Sequence, residues 1–274
     1  MRKRLLFPIL MTIVLFTTSI LISGCNINNS VNDNNEATTE LEAVPESEIE
    51  YVYSNPEKYE GRKVTLKGQV SDSVEKTENG ISFTIYANPS SIKNSAKIYT
   101  DNSELNIKDD DYVIVEGIVV DSSYGEGFNM DDVVIKADKV TKSNYIDVVE
   151  PTQVKYKTKK TINQKGYKVT LSKVELAKNE TRVYLKVKNN GRAKFALHTF
   201  NAKIIQGHKQ YDQKLNYSAN YKELPGDIEK GITAKGIITF PRIKEKKNFK
   251  LKIEPYSHDW NEKLTDYVFN VHIK

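Results

Sequence analysis

Apolar and polar residues take turns along most of this chain. Val64, Leu66 and, beyond Gly68, Val70 are each separated by a polar neighbour or a glycine. The same two-residue beat returns in Val183, Leu185 and Val187, and in Tyr267, Phe269, Val271 and Ile273. Successive side chains of a strand point to opposite faces, so this beat predicts sheets buried on one side only. Strands are predicted at 64–70, 81–86, 96–99, 112–120 and 133–137, then at 167–176, 182–188, 197–206, 231–240, 249–253 and 267–273. Gly68 and Gly117 fall inside long strand patterns, where glycine marks a bulge or bend of the kind a small, tightly curved barrel needs. One short helix is predicted before the strands. Ser47 and Glu50 have the spacing of a capping box, Ile49, Val52 and Tyr53 form its apolar side, and Asn55-Pro56 stops it. Asn189-Asn190-Gly191 predicts a tight turn, and 215–227 a longer loop carrying Tyr217, Tyr221 and Leu224-Pro225-Gly226. The expectation is an all-β chain: a five-stranded barrel with a short N-terminal helix, then a β-sandwich of six or seven strands.

The N-terminus breaks the pattern. Arg2, Lys3 and Arg4 precede an apolar run over 5–22, and Ser23 and Gly24 stand before Cys25, the only cysteine in 274 residues. Positive charge, an apolar core and small residues at the cut are the layout of a secretory signal. Ile22-Ser23-Gly24-Cys25 also resembles the lipobox of bacterial lipoproteins. That resemblance implies removal of a signal peptide, 1–24, and acylation (diacylglycerol, palmitate) of Cys25. Several acyl chains, at about 0.8 kcal/mol per buried CH₂, hold a soluble domain more firmly than one can. An uncleaved span remains the alternative, since about 18 apolar residues is the lower limit for crossing a bilayer; so does a plain secretory cut. All three place the folded part outside the cytoplasmic membrane. Residues 25–45 are Asn-rich and lack an apolar pattern, which predicts a disordered tether reaching on the order of 25 Å. With Cys25 acylated, no thiol is left for a disulfide, a zinc-thiolate site or a nucleophile.

Charge divides the rest of the chain. Residues 46–149 hold 11 Lys/Arg and 20 Asp/Glu, a net of −9, whereas 150–274 hold 27 Lys/Arg and 12 Asp/Glu, a net of +15. Such a division concerns partners rather than fold. It points the second half towards anionic surfaces outside the cell: lipid headgroups, an anionic wall polymer or an acidic protein partner. Lys244, Lys246, Lys247 and Lys250, close together in sequence, are the candidate partner-facing group. The plainer alternative is that lysines at alternate strand positions form a solvated face. The wealth of Lys, Asn, Ile and Tyr suggests an AT-rich genome and a Gram-positive type of cell, the alternative being a Gram-negative outer-membrane lipoprotein.

Two further resemblances concern the folded part. The phrase Asn55-Pro56-x-x-Tyr59-x-Gly61-Arg62-x-Val64-x-Leu66-x-Gly68-x-Val70, with five strands and a leading helix, resembles OB-fold modules of bacterial lipoproteins that are similar to tRNA-anticodon-binding domains. It covers about 46–147, and Arg62 stands where that family usually has lysine. From about 151 to 274, Val187-Lys188-Asn189-Asn190-Gly191, Leu224-Pro225-Gly226 and Gly236-Ile237-Ile238-Thr239-Phe240-Pro241 resemble a secreted immunoglobulin-like domain related to mycobacterial immunoprotective antigens. These resemblances imply an OB-like barrel followed by an immunoglobulin-like sandwich, extracellular and without catalysis.

Candidate chemistry is thin. Asp109-Asp110-Asp111 and Asp131-Asp132 sit where loops enter predicted strands, a place aspartate takes for backbone reasons, and neither lies in a calcium-loop motif. His198, His208, His258 and His272 lack metal-site spacing. No Gly-x-Ser-x-Gly elbow or phosphate-cradling glycine loop occurs. Tyr86, Tyr99 and Tyr112 could stack on bases, as OB barrels do, but a net charge of −9 repels phosphate, so no nucleic acid is expected. The tyrosine-rich stretch 211–221 is the candidate recognition surface, or else packs over the sandwich ends. No catalytic residue, metal or cofactor is expected. The function this pattern suggests is a lipid-anchored binding or interaction protein on the outer face of the cell membrane, the alternative being an accessory subunit of an envelope complex.

Overall fold

Valines at every second position decide the first half. In the computed structural model, which describes residues 41–77, 80–89, 94–121, 123 and 133–273, Val113, Val115 and Val119 are fully buried on one side of their strand. The strands β1 (Lys63–Thr77), β2 (Gly80–Tyr86), β3 (Ser95–Thr100), β4 (Tyr112–Val120) and β5 (Val133–Lys142) close into a barrel in the order β1-β2-β3-β5-β4. All neighbours are antiparallel except β3 and β5, which run parallel. Gly68 and Gly117 sit where a neighbouring backbone approaches too closely for a side chain. A Cβ on Gly117 would lie 2.3 Å from the Lys136 carbonyl oxygen, and one on Gly68 2.8 Å from that of Tyr86. Opposite Gly117, β5 carries an extra residue, Asp138, between the partners of Glu116 and Gly117, and such a bulge increases the local coil.

The barrel is stoppered at one end by a short helix, α1 (Ile49–Ser54), whose Val52 is fully buried while Ile49 and Tyr53 pack against the barrel core. The expected capping box does not form. A 3₁₀ turn over Glu46–Glu48 precedes the helix, with the Glu48 N–H donating to the Pro45 carbonyl at 2.9 Å, so Ser47 lies inside the turn rather than ahead of it. The helix does stop at Asn55, before a second 3₁₀ turn over Pro56–Tyr59. A four-residue helix, α2 (Tyr145–Val148), leads on from the barrel. It is capped by Asn144, whose side chain accepts the Asp147 N–H at 3.2 Å.

The second half is a sandwich built from β6 (Val154–Gln164), β7 (Tyr167–Leu176), β8 (Glu180–Asn189), β9 (Phe195–Gln206), β10 (Lys209–Asp212), β11 (Thr233–Pro241), β12 (Phe249–Ser257) and β13 (Tyr267–Val271). One sheet has the order β11-β8-β7-β6 and the other β10-β9-β12-β13. Val169, Leu171, Val183 and Val187 of the first meet Ile204, Leu251, Ile253 and Phe269 of the second in one core. Burying each such side chain is worth roughly 1.5–3 kcal/mol. Tyr167 stacks on Phe195 within it, ring centroids 4.6 Å apart.

Eight strands replace the expected six or seven. β6 was hidden by its lysines and β10 by its length. Asn189-Asn190-Gly191 is not a hairpin turn, because β8 and β9 belong to different sheets. Buried Asn189 instead ties the crossing: its Nδ2 donates to the carbonyls of Ala193 and Ile228, each at 2.8 Å, and its Oδ1 accepts the Gly191 N–H at 2.9 Å. The free edge of β11 is covered by the loop that leads into it, the Ile237 N–H donating to the Lys222 carbonyl and the Lys214 N–H to that of Thr239. The opposite edge strand, β6, bulges between Lys157 and Lys160, with Lys159 in the left-handed region at φ 40°.

Candidate functional site

Strand alternation that buries one side of β6, β7, β8 and β11 must present the other side to solvent, and here that side is lysine. Register places Lys157 opposite Lys173, Lys168 opposite Lys188, and Lys186 opposite Lys235. Like charges directly opposite one another destabilise a sheet. Lys222, on the loop along β11, stands over the same face. Lys155, Lys157, Lys173, Lys186, Lys222 and Lys235 line a groove of about 580 Å³ with Tyr184 and Ile237. Among the described residues, Lys157, Lys186, Lys222 and Lys235 form no ion pair.

One end of this face is closed by a buried polar cluster. Arg182 is fully buried. Its Nη1 donates to the Glu150 carbonyl at 2.8 Å, to Glu180 at 3.1 Å and to the Tyr221 hydroxyl at 3.2 Å, and its Nη2 donates to Thr152 at 2.7 Å. Its Nε is 3.7 Å from Glu175, too far for a hydrogen bond, and among the described residues it has no hydrogen-bond partner. Glu175 accepts from Lys173 at 2.5 Å and from the Tyr184 hydroxyl at 2.7 Å. Burial alone would raise the Glu175 carboxyl, but the Lys173 and Tyr184 hydrogen bonds and the charges of Lys173 and Arg182 hold it below its ordinary value. Burial, then the hydrogen bond to Glu175, pushes the Tyr184 hydroxyl up. Burial, then the hydrogen bond to Glu180, does the same to Tyr221. Glu175, the carboxylate beside the lysine face, is therefore ionised and already taken.

From Tyr221 the cluster continues to the barrel. Tyr145 of α2 makes edge-on contacts with Tyr221 at 5.9 Å and with Tyr112 at 5.7 Å. The Tyr112 hydroxyl donates to the Ser218 carbonyl at 2.7 Å, and Asn216 donates to both Tyr145 and Glu180. Burial, with Tyr145 and Asp110 nearby, pushes the Tyr112 hydroxyl up to about 12. The stretch 211–221 thus divides. Tyr221 is part of the buried cluster, Tyr211 packs against the sandwich core, and Tyr217 is 83% exposed.

A second surface lies on the other sheet. His198 stacks with Phe200 at 5.5 Å and with Tyr256 at 5.7 Å, and Tyr256 meets His258 edge-on at 5.1 Å. Phe200 sits where β9 bulges away from β12, 70% exposed, and Trp260 just beyond β12 is 88% exposed. His258 contacts Asp227 at 2.8 Å. His208 and His272 are exposed and elsewhere. Among the described residues no three His, Cys, Asp or Glu side chains converge as metal ligands would.

The other candidates lie apart from both surfaces. Lys244, Lys246 and Lys247 occupy the β11–β12 turn, held by Gln206, which donates to the Lys244 and Lys247 carbonyls and accepts the Lys244 N–H; Lys250 comes next, on β12. They are exposed, yet on a turn rather than in a groove. Asp111 serves its loop: it accepts the Lys108 N–H at 2.9 Å and pairs with Lys142 at 2.7 Å. Of the proposed stacking tyrosines, Tyr112 is engaged as above, and Tyr86 and Tyr99 are half-buried on β2 and β3. Cys25, the signal and most of the tether, and Asp131-Asp132, lie outside the described residues. Among the described residues no helix is long and apolar enough to cross a membrane.

No family model matches this chain and no curated protein matches it. Among solved structures it is similar to a functionally unknown protein from Listeria monocytogenes, with 11% identity and a TM-score of 0.37 over 46% of this chain and 88% of that one. It is also similar to a putative lipoprotein, ycdA, from Bacillus subtilis, with 17% identity and a TM-score of 0.34 over 42% of this chain and 39% of that one. With TM-scores below 0.5, neither likeness bears on what this chain does.

Proposed function

We propose that this chain is an exported, lipid-tethered protein of the cell envelope that binds an anionic partner and carries out no catalysis. Acylated Cys25 would be the tether and the basic sandwich the binding module. The observation that supports this is the lysine face of the first sandwich sheet, where Lys157, Lys186, Lys222 and Lys235 have no counter-charge among the described residues. Binding to anionic material should weaken steeply as salt rises, because each neutralised charge releases a counterion. Crosslinking on intact cells, with identification of the captured species, is the direct test. Capture of only neutral species, or binding indifferent to salt, overturns the electrostatic part. Absence of fatty-acid label on the wild type, with Cys25→Ala fractionating unchanged with membranes, overturns the tether.

A second reading is favoured by the exposed rings of Phe200, Tyr256 and Trp260. Exposed aromatics are enriched at protein interfaces, and such a surface suits an accessory subunit of an envelope complex. It predicts co-purification with a membrane protein after mild detergent extraction, and a clean monomer would count against it.

A further inference from the structure

We infer that the groove between Lys157 and Lys235 is a binding site for a linear phosphate polymer without bases. This rests on the proposal that the sandwich binds an anion, and adds where and which kind. The first ground is energetic. The register forces Lys186 against Lys235 within one groove, neither paired with a carboxylate among the described residues, and Lys157 adds a further unpaired cation; a bound polyanion removes that repulsion, which water and salt only screen. Register sets Lys173 against Tyr184, two residues from Lys186, so the Lys157–Lys173 and Lys186–Lys235 pairs occupy successive rows about 6.8 Å apart, a spacing that suits an anion that also repeats.

The second ground is the residue type. All six cations lining the groove, Lys155 included, are lysines, flexible point charges suited to mobile phosphates rather than to the planar, bidentate recognition arginine provides. The third ground excludes nucleobases. A strand-binding groove stacks bases on open aromatic faces, but Tyr184, the ring lining this one, has Lys173 Nζ 3.8 Å above its centroid and its hydroxyl held by Glu175. The fourth excludes a bilayer. The surface is concave, and the exposed rings that an interfacial contact would use, Phe200, Tyr256 and Trp260, belong to β9, to β12 and to the segment after β12, not to this sheet.

The test uses the full chain in mild detergent with three probes: long-chain inorganic polyphosphate, oligo-dT of equal charge, and vesicles of phosphatidylcholine with and without phosphatidylglycerol. Polyphosphate should bind with a log–log salt slope of about −3, as about four neutralised charges give, and more tightly than oligo-dT. The triple variant Lys157→Gln/Lys186→Gln/Lys235→Gln should lose affinity at least about tenfold and about two units of that slope. It should melt no lower than the wild type, because it relieves the opposed pairs, so lost binding cannot be ascribed to unfolding. Lys244→Gln/Lys246→Gln/Lys247→Gln should bind as the wild type does. Equal binding by the groove triple, or loss in the turn triple alone, overturns the groove while leaving an anion-binding sandwich standing. Preference for oligo-dT or for anionic vesicles overturns the ligand class. Failure of the wild type to bind any of the three overturns the broader proposal as well.

Discussion

The barrel and the first sheet of the sandwich solve the same electrostatic problem in opposite ways. On the barrel, cross-strand neighbours Glu116 and Lys139 stand directly opposite each other and pair at 2.7 Å. Lys142 pairs with Asp111 at 2.7 Å, and Lys136 lies 3.8 Å from Asp101. The second sandwich sheet does likewise: Lys203 faces Lys252, but Lys252 is answered by Asp266 at 2.7 Å. On the β11-β8-β7-β6 face, by contrast, lysines are set against lysines with Glu175 as the nearby carboxylate, and that one is shared with Arg182, Tyr184 and Lys173. A chain with 12 Asp/Glu in this half could have placed another there. The contrast separates cations answered by a carboxylate from cations that are not.

The comparison can be broken most forcefully at the buried end of the lysine face. Arg182→Leu should cost about 3–5 kcal/mol in urea unfolding, because it leaves Glu180 buried without its cation and the Glu150 carbonyl without its donor, whereas Lys139→Ala on the barrel should cost less than about 1 kcal/mol. If the two losses are alike, the cluster does not organise the sandwich. The next effect in size is on acid sensitivity. The folded Glu175 carboxyl titrates below its unfolded value, so its contribution is fully present above about pH 4.3 and is lost as pH falls through the lower folded value. Glu175→Gln should be less stable at pH 7 and show a shallower loss below about pH 4.3; an unchanged slope would place the acid-sensitive group elsewhere. Smallest are the charge exchanges. Lys235→Glu should raise stability by about 0.2–1 kcal/mol by creating an opposed pair with Lys186, and Glu116→Lys should lower it by about as much on the barrel. The same sign at both positions would remove the distinction between the two surfaces.

The strands of the barrel were legible because its residues alternate cleanly and its glycines fall where backbones must approach. The interior of the sandwich was legible for the same reason in Val183, Leu185 and Val187. β6 was not, because Lys155, Lys157, Lys159 and Lys160 leave only the half-buried Val154, Tyr156 and Ile162 to carry the beat, and a bulge after Lys157 breaks its phase. The lysine groove needs cross-strand register, which pairs residues as far apart as Lys186 and Lys235 and which no local pattern states. The turn lysines 244, 246 and 247 were conspicuous by being adjacent, whereas those of the groove become neighbours only on folding. A signal was present all the same: Lys155 and Lys157 alternate as strand neighbours do, and so do Lys186 and Lys188. Arg182 left no trace, since an arginine between Thr181 and Val183 reads as a surface residue until its partners Glu150, Thr152 and Tyr221 are brought around it.

The loop that hydrogen-bonds along β11 and the kinked, cationic β6 at the far side give this sheet two unwelcoming borders. A strand from a neighbouring molecule finds carbonyls and amides already used at one border and a bend with repelling ammonium groups at the other. Many copies can therefore crowd together without this sheet growing from one molecule into the next.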